Sequence, residues 1–334
     1  MKPVIGNHPV SYLLKLSIVF SHHLLVGFLF GRQVKQIGSC LIHYMFIFLK
    51  KKVSVLSEFN LNIIATGSSG NCVVLDQHLM FDCGISKKHV IKSGYDLDDL
   101  QVLFITHRHS DHTNIPFIRY CLKRGLEVHL PQAVVDELRL EGKSDQEMLN
   151  HVIVNETLGV FHYHLNVGGQ DYDYTITPHP TDHYDLVNFA FEIQRSDGQS
   201  ALYATDLRTV NPDEKARGIA HLGKFDLLML EGNYDEAWLR QYIDSNLLAL
   251  DDSWDPSDLT DEKLNDWIRA NRHKIPHPIS SSLFRAVQNM RHLSKQQARL
   301  YAAQHLKPHG KYYEMHRSSM FYEKPDNWKK LMLS

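Results

Sequence analysis

Six consecutive residues, His107-Arg108-His109-Ser110-Asp111-His112, hold the densest chemistry in the chain. Imidazole nitrogen and carboxylate oxygen are the donors that bind a borderline divalent ion such as zinc, at about 2.0–2.2 Å. The run directly follows Val102-Leu103-Phe104-Ile105-Thr106, an apolar stretch that predicts a strand buried on both faces. Side chains alternate along a strand, so His107 and His109 point the same way as it ends. Asp111 and His112 follow as the chain turns and reach a second point close by. Two ions roughly 3.5–4 Å apart make a two-metal hydrolytic site, and this spacing suits one. The chain has 22 histidines, so an isolated histidine says little, whereas a cluster delivered by a buried strand is informative.

The elements that must present this cluster read as an α/β enzyme from Leu61 onward. Residues 61–65 predict a strand, Gly67-Ser68-Ser69-Gly70-Asn71 a tight loop, residues 72–75 a second strand and 79–82 a third. Residues 115–124 predict a helix, 127–130 a strand and 132–138 another helix. The stretch 152–203 is rich in strands, with a hairpin of 189–193 and 201–203 turned by Ser196-Asp197-Gly198. Residues 225–230 form one more buried strand. An acidic excursion follows (Asp251, Asp252, Asp255, Asp258, Asp261, Glu262), then helices over about 281–306 and a short tail.

Composition limits the classes open to the chain. With 334 residues, 43% apolar and 22% charged, it can bury a full core and is neither disordered nor fibrous. A formal charge of -2 excludes a global cationic field for recruiting nucleic acid. A local basic patch stays open, and Arg285, Arg291, Lys295, Arg299, Lys307 and Lys311 form a stretch able to meet a phosphate backbone or to remain a solvated helix face. Cys40, Cys72, Cys83 and Cys121 form no CxxC pair. That fits free thiols in a reducing, cytoplasmic setting, with a Cys72–Cys83 disulfide as the lesser alternative.

Residues 1–52 differ from the rest. Residues 10–30 are strongly apolar, though broken by Lys15 and His22-His23, and 37–49 form a second run before Lys50-Lys51-Lys52. Three readings fit: a membrane anchor in contact with lipid through residues 10–49, a helical appendage, or an upstream stretch outside the native functional protein. The hydrolase domain is expected over 53–334.

The HxHxDH run resembles the second sequence motif of the metallo-β-lactamase superfamily. The resemblance spans about Leu61 to Leu306 and implies an αββα four-layer sandwich of the α/β class. Within the superfamily, Ala65-Thr66-Gly67-Ser68-Ser69-Gly70-Asn71-Cys72 is similar to the SSGN loop of the YycJ/WalJ group of bacterial and phage metallohydrolases, and Asp82-Cys83-Gly84 resembles the first superfamily motif. The resemblance implies three further ligands. His183 matches a lone histidine in mid-fold, with His179 as its competitor. Asp206, in Ala204-Thr205-Asp206, matches the bridging carboxylate. His292, in Arg291-His292-Leu293-Ser294, stands where the group has GHLS, with His309 or His316 as substitutes. Leu230-Glu231-Gly232-Asn233-Tyr234-Asp235 is similar to an EANHD motif, with Tyr234 in place of the histidine.

The implied arrangement gives one ion His107, His109 and His183, and the other Asp111, His112 and His292, with Asp206 bridging. Two divalent ions are expected, zinc by the histidine-rich donor set and manganese compatible with the carboxylates. They would turn a shared water into hydroxide near neutral pH. Asp111 is the candidate to orient that nucleophile or take its proton. Asp82, Ser69, Asn71, Glu231 and Asn233 are expected around the ligands or the substrate. The group resemblance implies a DNA exonuclease-like activity, a phosphodiesterase acting on DNA (or RNA); no obligate protein partner is evident in the sequence. Two alternatives stay open: a hydrolase of a small ester, thioester or lactam, and a non-catalytic binding protein on a decayed site. No residue declares itself as the acid for the leaving group.

Overall fold

Period-two alternation divides each buried strand between two apolar layers, and that division builds the fold. The computed structural model describes residues 58–138, 146–155, 159–183, 186–210, 218–239 and 291–318, with 266, 269, 270, 273, 332 and 333 besides. The extension 1–52, the acidic excursion, Cys40 and Arg285 lie outside the described residues. The chain divides between Ser57 and Glu58, and every element below belongs to the second part.

The first sheet has six strands in chain order: β1 (Leu61–Ala65), β2 (Cys72–Leu75), β3 (Leu79–Phe81), β4 (Val102–Phe104), β5 (Glu127–Leu130) and β6 (Val152–Val154). The first three pair antiparallel, and β3 to β6 run parallel. The second sheet has seven: β7 (Phe161–Val167), β8 (Gln170–His183), β9 (Leu186–Arg195), β10 (Ser200–Ala204), β11 (Phe225–Glu231), β12 (Leu306–Met315) and β13 (Met332–Leu333). Within it β10, β11 and β12 are parallel neighbours. The helices are α1 (Lys87–Lys92), α2 (Ile115–Lys123), α3 (Gln132–Leu138), α4 (Gln146–Leu149) and α5 (Lys295–His305).

Val73, Leu75, Phe81, Val102 and Phe104 face the second sheet and meet Tyr174, Ile176, Phe191, Tyr203 and Met229. Their neighbours in sequence, Val74, Met80 and Leu103, point outward onto Val90 of α1 and Phe117 and Ile118 of α2. On the other side Leu202, Ala204, Leu228 and Leu230 pack on Ala298, Tyr301 and Ala302 of α5. The result is the expected αββα sandwich. Each fully buried aromatic or aliphatic side chain contributes about 1.5–3 kcal/mol, so the central layer alone fixes how the two sheets stack.

Caps set where helices begin near the site. The Asn114 side chain accepts from Phe117 N to start α2, and Pro116 sits in its first turn. Ser294 and Gln297 form a capping box on α5. The helix expected over about 281–306 is described from Lys295 onward, and the expected short tail contains β12. Lys307, Pro308 and Gly310 hide the strand pattern of β12, whose register comes from pairing with β11. Cys72, Cys83 and Cys121 are free and buried, so no Cys72–Cys83 disulfide forms.

Candidate metal centre

Strands from both sheets end at one place. β3 leads into Asp82, β4 into His107, β10 into Asp206, β11 ends on Glu231 and β12 leads into His316. The carboxyl ends of parallel strands are where such sheets leave a crevice for ligands. Asp82, Asp206 and His316 have φ of 58°, 57° and 51°. Left-handed backbone at non-glycine residues is costly and persists where surrounding structure enforces it, commonly at functional sites.

His107, His109, His183 and Asp206 form the first ligand set, their donor atoms all within 4.8 Å of one another. His109 Nδ1 lies 2.9 Å from His107 Nε2 and 3.3 Å from His183 Nε2. His183 Nε2 is 3.6 Å from Asp206 Oδ1. A neutral imidazole has one N–H, so three ring nitrogens aimed at a common point serve one another poorly and a shared cation well. Thr113 Oγ1 donates to His107 O at 2.6 Å and holds the turn of the histidine loop.

Asp111, His112 and His316 form the second set. Asp111 Oδ2 lies 3.1 Å from His316 Nε2 and 3.6 Å from His112 Nε2. Asp206 Oδ2 is 2.7 Å from His112 Nε2 and 3.7 Å from His316 Nε2. The two oxygens of Asp206 therefore face different ligand sets, as a bridging carboxylate requires. Oδ2 is buried and, with the single proton of a neutral His112 on Nδ1, receives no donor. Such an orphan in a histidine-lined space fits a divalent ion.

Partners behind the ligands select the free nitrogen. His112 Nδ1 donates to Asp82 Oδ2 at 2.7 Å and so presents Nε2. Asp82 also accepts from Thr106 N, Thr106 Oγ1 and Tyr203 Oη, each at 2.9 Å. His316 Nδ1 is 3.1 Å from the buried Glu231 Oε1, which again presents Nε2. Asn233 Nδ2 donates to His316 O at 2.9 Å. Glu231 Oε2 accepts from Leu207 N at 2.7 Å and so fixes the turn after Asp206.

His292 departs from its expected place. It does not join Asp111 and His112; its Nδ1 bonds Glu231 Oε1 at 2.7 Å and lies 3.5 Å from Asp206 Oδ1. Asp206, Glu231, His292 and His316 also converge, but Asp206 and His316 are already claimed by the sets above. His292 is fixed just ahead of the capping box of α5, while His316 is delivered by a strand end, as His107 and Asp206 are. That rule could have found it.

Charge is unevenly divided. Burial holds His107 well below the ordinary imidazole range and lowers His183 to about 4. Burial also disfavours charge on His112, but Asp206 and Asp82 outweigh it and push the pKa up to about 10. His316 is likewise raised, against burial, by Asp206, Asp111 and Glu231. Asp206 is held well below the carboxylate range because His316, His112 and His107 outweigh its burial. One half of the site thus favours neutral ligands and the other holds protons that a cation would replace.

The remaining expectations divide. Asn71 is buried, its Nδ2 2.9 Å from His112 Nε2 and its Oδ1 accepting from Gly67 N at 2.9 Å. Ser69 is exposed on the same loop. His179 lies at Glu192, 2.9 Å away, and not with the ligands. His309 is exposed. Tyr234 is buried and bridges to Ser294. The expected basic stretch is largely consumed by ion pairs: Lys295 with Asp235, Arg299 with Glu314, Lys307 with Asp226 and Lys311 with Glu58. Among the described residues no helix is long and apolar enough to cross a membrane; the apolar runs 10–30 and 37–49 lie outside them.

Comparison with known proteins places this geometry. A family model described as the beta-lactamase superfamily domain matches residues 78–298. No curated protein matches the sequence. Among solved structures the chain is similar to the metallo-beta-lactamase fold protein YhfI from Bacillus subtilis, at 19% identity and a TM-score of 0.38, covering 54% of this chain and 73% of that one. It is similar to Zn(2+)-bound PqqB from Methylobacterium extorquens at 11% identity and a TM-score of 0.35, covering 54% and 75%. A long form RNase Z from yeast is similar at 15% identity and a TM-score of 0.33, covering 53% of this chain and 30% of that one.

Proposed function

The chain belongs to the beta-lactamase superfamily and is a metal-dependent hydrolase; from that premise we infer that it cleaves phosphodiester bonds in DNA or RNA, in the manner its YycJ/WalJ resemblance implies. The observation that carries this reading is Asp206, whose two oxygens face separate ligand sets. Two divalent ions held there would supply Lewis acidity, an acidified water and neutralisation of the charge that builds on a phosphodiester. His107, His109 and His183 would hold one ion, Asp111, His112 and His316 the other, and Asp206 both. The five histidines favour zinc, and the carboxylates keep manganese compatible.

The proton work divides between one residue outside those sets and one within them. Burial disfavours charge on His292, but Glu231 and then Asp206 outweigh it and raise its pKa. Glu231 fixes the Nδ1 proton and leaves Nε2 as the second donor. His292 is therefore the candidate acid for the leaving oxygen, the role that the sequence left unassigned. Asp111, the more open carboxylate, remains the candidate to orient the attacking water.

The test is a substrate panel on protein reconstituted with Zn2+ or Mn2+: single- and double-stranded DNA, RNA, a chromogenic phosphodiester, a thioester and a lactam. Cleavage of a nucleic acid is expected. Turnover of the thioester or lactam with every phosphodiester intact would reject this reading in favour of a small-substrate hydrolase.

A further inference from the structure

Among the described residues, Arg108 and Arg208 are the arginines with no hydrogen bond, ion pair or ring contact. Others are spent within the fold. Arg124 pairs with Asp98, Arg195 with Asp76 and Asp197, and Arg299 and Arg317 share Glu314. Lys295 is tied to Asp235 beside the site. Recruiting those cations to a ligand would break an existing pair, whereas Arg108 and Arg208 lose none.

Their positions are not arbitrary. Arg108 lies between His107 and His109, beyond the end of β4 in the first sheet. Arg208 lies two residues after Asp206, beyond the end of β10 in the second. The donor atoms of His107, His109 and Asp206 are within 4.8 Å of one another, so each arginine adjoins, in sequence, a ligand of one centre, Arg108 after a strand of the first sheet and Arg208 after a strand of the second. Both side chains are exposed while the ligands His107 and Asp206 are buried. The turn leading to Arg208 is pinned by Leu207 N on Glu231 Oε2.

Resting on the phosphodiesterase reading above, we propose that Arg108 and Arg208 grip backbone phosphates of a nucleic acid on the two sides of the scissile bond. A guanidinium meets a phosphate through two parallel hydrogen bonds and is weakly hydrated, so it gives up little on contact. The net charge of -2 supplies no long-range pull, so binding depends on such local contacts.

The experiment is fluorescence anisotropy of a labelled single-stranded oligonucleotide with hydrolysis-resistant linkages, titrated with metal-loaded full-length protein across a range of salt. Compared are wild type, R108A, R208A, R108K, R208K and K88A, the last on the outer helix α1. Each alanine variant is expected to bind roughly tenfold more weakly and to flatten the log–log salt slope by about 0.7 per lost phosphate contact. The lysine variants keep the slope but bind more weakly than wild type, and K88A leaves both unchanged. A structural role for either arginine would not move the salt slope in this charge-specific way. Should R108A lose metal, R108K and the R208 pair still decide the matter. Wild-type slopes in both alanine variants overturn the clamp and leave the phosphodiesterase reading standing. Metal-loaded wild type that neither binds nor cleaves any oligonucleotide overturns both.

Discussion

His316 Nε2 lies 3.1 Å from Asp111 Oδ2 across 205 residues of sequence, and this pairing separates two histidines that sequence patterns confuse. His316 completes a set with Asp111 and His112, while His292 bonds Glu231. His316→Ala is expected to reduce bound metal from about two ions per chain to about one. His292→Ala should keep both ions yet slow hydrolysis by about 10²–10⁴-fold and remove the alkaline limb of the pH–rate profile. Metal analysis and rates across pH decide this. Loss of an ion from His292→Ala would return that residue to the ligand shell.

Gly84 is dictated by the ligand loop. A Cβ there would stand 1.7 Å from Asp111 O and 2.7 Å from His112 N. The neighbouring backbone cannot withdraw, because Cys83 N donates to His112 O at 2.9 Å and Gly84 N to Asn71 O at 2.8 Å. Gly84→Ala should cost at least about 1–3 kcal/mol, the range for overpacking, and lower the melting temperature by several degrees. It should also weaken the Asp111–His112 site before the histidine triad. Thermal unfolding with metal titration reads both; an unshifted melting temperature contradicts the close approach.

The sandwich and half of its centre were legible because local signals agreed. The apolar run into β4 announced a buried strand, and alternation put His107 and His109 on one side of its end. Asp206 also follows a strand, β10, but its role came from the likeness of Ala204-Thr205-Asp206 to the superfamily pattern and not from alternation. His179 and His183 were not separable by spacing, since four residues along a strand preserve the face. Distance along β8 decides, placing one at Glu192 and the other at His109. His316 was obscured because Pro308 and Gly310 break the pattern of β12, whose course depends on pairing with β11. The basic stretch stayed open between phosphate contact and a solvated face for a different reason: whether a lysine is free depends on carboxylates remote in sequence, such as Glu58 for Lys311.

The metal-free protein should be most stable near pH 6–7. His183 has a folded pKa of about 4, below its ordinary 6.5. As pH falls from 6.5 towards 4 the unfolded chain takes up a proton that the native state refuses, and stability is lost. His112 is raised to about 10; its contribution is full below 6.5 and disappears as pH climbs through 10. Bound ions require neutral imidazoles and so compete with protons. The stabilisation conferred by added metal should therefore shrink as pH falls. Melting temperatures across pH 4–10, with and without metal, test both trends, and a monotonic metal-free curve would refute the division.

Asp82 holds His112 in the tautomer that an ion needs, so its amide should fail where its carboxylate succeeds. The two oxygens accept from Thr106 N, Thr106 Oγ1, His112 Nδ1 and Tyr203 Oη. In Asp82→Asn one of those oxygens becomes an NH₂ facing donors in a fully buried space. Turning that NH₂ towards His112 would require Nδ1 to accept and would move the proton to Nε2, the nitrogen aimed at Asp111 and Asp206. Turning it towards Thr106 instead leaves a backbone N–H without an acceptor, at about 1–3 kcal/mol. Either way the Asp111–His112–His316 set should lose about 10–100-fold in metal affinity, while the His107–His109–His183 set loses less. Tyr203→Phe removes one donor, leaves the carboxylate intact and should weaken binding far less. Calorimetric titration resolving two binding events distinguishes these cases. Equal affinities in Asp82→Asn and wild type would show that His112 is oriented by something other than Asp82.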